Sequence, residues 1–119
     1  MATAVKRKLS GSSDGMAIKI AAIATAGTAI HTAVAGTTAG TFHEIWLWAY
    51  NSDPNDVVLT IEFGGASAPD QNIKLSIPAL SGLVPLIPGL ILQNGATVKA
   101  FASKANVVTL SGFVNSITD

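Results

Sequence analysis

The stretch from His43 to Gly65, HEIWLWAYNSDPNDVVLTIEFGG, restricts what this chain can fold into more than any other. Two apolar, β-rich runs, Glu44 to Tyr50 and Val57 to Phe63, flank Asn51-Ser52-Asp53-Pro54-Asn55-Asp56. The side chains of that hexapeptide favour turns, Asn, Asp and Ser by bonding nearby backbone and Pro54 by fixing φ. The spacing predicts a β-hairpin with a long loop. Because strand side chains alternate sides, Ile45, Leu47 and Ala49 oppose Trp46, Trp48 and Tyr50, and bulk on both faces predicts a central strand between two layers. The second run is more one-sided, with Val57, Leu59, Ile61 and Phe63 opposite Val58, Thr60 and Glu62.

The same texture recurs along the chain. From Ala17, Ile18, Ile20 and Ala22 oppose Lys19, Ala21 and Ile23, and Thr28 to Val34 sets Ile30, Thr32 and Val34 on one side. Period-two order, β-branched residues and punctuation by Gly27 and Gly36 favour two strands over an Ala-rich helix. Asn72 to Ile77 alternates Ile73, Leu75 and Ile77 with Lys74 and Ser76, and Pro78 ends it. In Ser81 to Gln93 two short segments are expected on either side of Pro88-Gly89, with Pro85 marking an edge strand or a bulge. Asn94-Gly95 is a strong hairpin signal joining Leu90–Gln93 to Ala96–Ser103. In Asn106 to Ile117, Val108, Leu110 and Val114 oppose Val107, Thr109 and Phe113, and Gly112 allows a bulge or a close neighbour. Eight or nine short strands with frequent turn signals and no helical period predict an all-β domain, a β-sandwich or jelly roll.

With 119 residues the chain is one domain, able to bury roughly two thirds of its unfolded surface without a disulfide or metal. The absence of cysteine excludes thiol chemistry and thiolate metal sites. Only 12% of residues are charged against 49% hydrophobic, and formal net charge is zero, so the surface has little electrostatic protection against association. That composition points to a subunit seated against neighbours. The longest apolar run, Leu83 to Leu92, contains two prolines and is far shorter than the roughly 20 residues a membrane helix requires, so no membrane partner is expected. Lys6-Arg7-Lys8 followed by an apolar run faintly imitates a signal peptide, but Ser10 to Gly15 is polar and Lys19 interrupts the run. Residues 1–15 instead have the composition of an extended N-terminal arm ahead of a sandwich domain over 16–119, and contact with a neighbouring chain is the preferred role for it. Its three basic residues do not amount to a specific nucleic-acid site when the pI is about 6.7.

No catalytic constellation stands out. His31, His43 and Glu44 would suit zinc if the fold gathered them, but their spacing matches no ligand pattern and structural roles are expected. Glu44 and Glu62 on facing arms of a hairpin would imitate a glycosidase pair, yet no cleft accompanies them. Asp53, Asn55 and Asp56 lack the ordered ligand series of a calcium loop and read as turn residues. Gly64-Gly65 is not a phosphate loop, and no Gly-x-Ser-x-Gly elbow occurs. The expectation is a protein that is not an enzyme and has no cofactor. Trp46, Trp48 and Tyr50 form an aromatic stripe that belongs to the core or a subunit interface, or else to a platform for sugar rings. Together with Lys6, Arg7 and Lys8 they are the candidate partner-binding residues.

EIWLWAYN (44–51), VVLTIEFGG (57–65), IPALSGLVPLIPGLIL (77–92), VKAFAS (98–103) and SGFVN (111–115) together resemble small virion proteins of tailed bacteriophages, most closely the β-sandwich decoration, or cement, proteins of the capsid exterior. The resemblance implies a non-enzymatic structural protein, commonly a homotrimer, that bridges major capsid protein subunits and reinforces the head against packaged DNA. It carries no active-site residues over. Head-fibre, neck and tail components share the same arms and sandwiches, and a carbohydrate-binding adhesin using Trp46, Trp48 and Tyr50 is the alternative.

Overall fold

Alternation becomes burial in the computed structural model, which describes residues 2–119. The chain forms β1 (Thr3–Lys8), β2 (Ile18–Lys19), β3 (Thr28–Thr32), β4 (Phe42–Asn51), β5 (Val57–Phe63), β6 (Asn72–Ile77), β7 (Val84–Leu92), β8 (Thr97–Ala102) and β9 (Val108–Thr118), with no helix among the described residues. Two antiparallel sheets result. One has the order β1-β9-β4-β7, with β2 also paired to β9, and the other has the order β3-β8-β5-β6. Ile45, Leu47, Ala49, Leu110 and Val114 from the first sheet meet Ile30, Leu59, Ile61, Val98 and Ala100 from the second in one buried core. Each fully buried Leu or Ile side chain stabilises such a core by about 1.5–3 kcal/mol. The architecture is the β-sandwich expected from the strand pattern.

β4 is central, paired with β9 on one side and β7 on the other. It does not form a hairpin with β5, because β4 and β5 belong to different sheets and the Asn51–Asp56 loop arches across the core. Asn51, fully buried, pins that arch: its Nδ2 donates to the carbonyls of Asn55 and Ile77 at 2.9 and 3.0 Å, and its Oδ1 accepts from Asp53 N at 2.9 Å. From β2 onward every connection changes sheet except β5–β6, whose strands pair directly.

The Asn94-Gly95 turn forms as its chemistry predicts, with φ of 61° and 66° and Ala96 N donating to Gln93 O at 3.2 Å, but the strands it joins also part to opposite sheets. Residues 84–92 form one strand rather than two short ones. Pro85 and Pro88 are absorbed by two register shifts against β4, at the edge of the sheet where a missing donor costs least. Gly112 answers a close approach, since a Cβ there would collide with the Trp46 carbonyl oxygen on β4.

Residues 3–8, expected within an extended arm, lie on their own domain as the edge strand β1, registered from Thr3↔Thr118 to Lys8↔Phe113. β1 and β2 occupy the same edge of β9 end to end, and between them the chain dips inward to bury Leu9.

Candidate functional site

The most distinctive surface is the outer face of the five-stranded sheet. Burial of Ile45, Leu47 and Ala49 leaves Trp46, Trp48 and Tyr50 on that face, each half-buried rather than in the core. Register brings Phe113 of β9 opposite Trp46. Trp46, Trp48 and Phe113 form a mutually near-parallel cluster, with centroids 6.0–6.5 Å apart and interplanar angles of 14–26°. Tyr50 continues the row further along, opposite Thr109. On one side Lys6 places its ammonium 4.2 Å from the Phe113 centroid, a cation–π contact. On the other, Pro85, Leu86 and Pro88 of β7 and the two indoles line an open apolar groove of about 260 Å³. Gly89, at φ 80°, lets the Trp46 indole lie over β7, because a Cβ there would fall 2.8 Å from the ring.

Polar groups frame one end of this face. Glu44 accepts from Trp46 Nε1 at 2.8 Å and from Asn115 Nδ2 at 3.0 Å, and these hydrogen bonds hold its carboxyl below the usual carboxylate range, Asn115 contributing most. The basic triplet is split by strand alternation: Lys6 turns to the aromatic face, whereas Arg7 lies on the opposite side of β1, where its charge is felt by His43.

The other candidate groups are engaged in structure. Glu62 does not approach Glu44 across a hairpin, since the two lie in different sheets. Glu62 is buried and accepts from the Thr25 hydroxyl and, at 2.6 Å, from Gly27 N, so it anchors the 21–27 segment. Asp53 accepts from Lys104 Nζ at 2.6 Å and from Asn55 N at 3.1 Å, with Lys104 the main cause of its lowered pKa. Asp56 accepts from Ala79 N at 3.1 Å, which makes the loop's acidic residues turn and strut residues. His31 and His43 do meet, with Nε2 and Nδ1 2.8 Å apart. Glu44 faces away with its own partners, and no group of three metal-ligating side chains forms among the described residues.

Phe113, Asn115 and the proline wall were not legible as parts of the aromatic surface. The alternation of β9 sets Phe113 opposite Val114 in facing, but only the β4–β9 register places it beside Trp46. Comparison of the chain with protein-family models, with curated proteins and with solved structures finds no match.

Proposed function

We propose that this chain is a structural, non-enzymatic protein of a tailed-phage particle, a homotrimeric decoration protein on the capsid exterior that docks on the major capsid protein through the outer face of its five-stranded sheet. The observation that carries the docking surface is the half-exposed Trp46–Trp48–Phe113 cluster beside the Pro85–Pro88 groove. Partly exposed indoles in an apolar, grooved surface are the kind of anchor on which interfaces concentrate binding energy. The low charge of the chain favours association, and weak contacts repeated over a symmetric shell add through multivalency. Light scattering on the purified chain should give a mass near three times 12.1 kDa. A monomer at all concentrations overturns the trimer.

A second reading rests on Glu44 and Asn115, which set hydrogen-bonding groups beside stacked rings as a saccharide site does. Under it, soluble hexose oligosaccharides quench or shift the Trp fluorescence of the free chain. Under the decoration reading they leave it unchanged.

A further inference from the structure

Between β1 and β2 the chain leaves the edge of β9 and crosses to β3. Leu9 is buried there, and Gly11 N donates to Ile30 O at 2.9 Å. Ser10 makes two bonds to β3: its N donates to His31 Nδ1 at 3.0 Å, and its Oγ accepts from Thr32 N at 2.8 Å. Since His31 Nδ1 accepts, the proton of this neutral ring sits on Nε2. That Nε2 lies 2.8 Å from His43 Nδ1, so His31 donates and His43 accepts, and the His43 proton sits on its own Nε2. The relay from Ser10 through His31 to His43 therefore requires both imidazoles neutral. A proton on His31 Nδ1 removes the acceptor from Ser10, and one on His43 Nδ1 sets two N–H groups against each other.

The surroundings give an added proton no relief. Arg7 of β1 is the charged group acting on His43, and its charge is positive. The strand partners of His43 are Ser116 and Leu92, and that of His31 is Val98. The neighbouring carboxylate, Glu44, is held on the opposite face of β4 by Trp46 and Asn115, and Asp119 lies against Gly40 beyond the start of the strand. Of the other cations of β1, Lys6 sits over Phe113 and Lys8 donates to Ser12 O at 3.3 Å. All six residues of β1 are exposed, so beyond its ladder with β9 and the Lys6–Phe113 contact the strand depends on this hinge for its attachment.

We propose that the Ser10–His31–His43 relay is an acid-sensitive latch that moors the N-terminal strand to the sandwich and releases it when the imidazoles take up protons. Burial, reinforced by His43, holds His31 at about 4, and burial together with Arg7 lowers His43 below its ordinary value. The latch is thus closed at neutral pH and opens in moderately acidic solution, where two imidazolium charges beside Arg7 drive β1 away from the body.

Amide hydrogen exchange on the full chain between pH 7 and pH 4, expressed as protection factors corrected for intrinsic rates, tests this. Ser10 and the bonded amides of β1 should lose about tenfold or more of their protection, while Leu59 and Ile61 in β5 keep theirs. In His31→Asn, whose Oδ1 can still accept from Ser10 N but takes up no proton in this range, the loss should shrink to about threefold or less. Unchanged protection of β1 down to pH 4, loss in step with β5, or an equal loss in the variant would each overturn the latch. Should H31N not fold, ring titration of the native chain by NMR decides. The Ser10 amide shift should follow the imidazole midpoints, and a shift independent of them refutes the proposal.

Discussion

Single residues carry much of this fold's specification, and the polar ones are the most informative. Asn51 satisfies both ends of its amide while wholly enclosed, so Asn51→Ala strands the carbonyls of Asn55 and Ile77 and the amide of Asp53. A loss of about 2–3 kcal/mol, read from urea unfolding, is the expected result, within the range for buried groups left unpaired. His31 adds a pH term whose sign follows from its direction of shift. With its folded-state pKa lowered to about 4, the unfolded chain takes up the proton first, near the ordinary value of 6.5. Stability from this group is therefore complete above about pH 6.5 and is lost as pH falls towards 4, by roughly 1.4 kcal/mol for each pH unit crossed at most. Melting temperatures should fall over that window in the native chain and fall less in His31→Gln; identical profiles would remove the assignment. The turn roles of Asn51 and Asp53 were legible because they act locally, on Asp53 N and Asn55 N, whereas Asp56 reaches Ala79 N on the far side of β6. The partners of the histidines were not, since His31 and His43 meet only through the packing of β3 against β4.

At the scale of elements, the strands were readable and several of their pairings were not. Period-two order gives facing correctly for β4, where Ile45, Leu47 and Ala49 are buried and the aromatic residues are not. It says nothing about which sheet a strand joins. Turn chemistry is equally local: Asn94-Gly95 adopts the left-handed pair it favours, yet serves an arch between sheets. Likewise the prolines of β7 end no strand, because bulges at an open edge absorb them. The polar composition of residues 2–8 cannot distinguish a free arm from an edge strand, for a strand exposed along its whole length buries little. For that reason removal of residues 2–8 should leave the melting temperature nearly unchanged. Leu9→Ala, which empties a core position, should cost about 3 kcal/mol. Comparable losses from the two changes would show that β1 contributes to the body of the fold rather than resting on it.

For the whole molecule, the sandwich acts as a rigid support for one unusual face. The core is apolar and continuous between the sheets, and the buried carboxylates are used as struts. What remains unpartnered is a row of aromatic side chains from two central strands, bordered by a lysine on one side and prolines on the other. A surface of that kind suits docking better than catalysis, and it joins the proposed virion role to particular residues. The most direct measurement of that role is occupancy on phage capsids stripped of this protein, comparing the native chain with Trp46→Ala/Trp48→Ala at equal concentration. Both indoles are half-exposed, so the variant should stay folded by circular dichroism and lose at least about tenfold in occupancy, as expected when interface anchors are truncated. Equal occupancy of a folded variant, or failure of the native chain to bind capsids at all, would contradict the account.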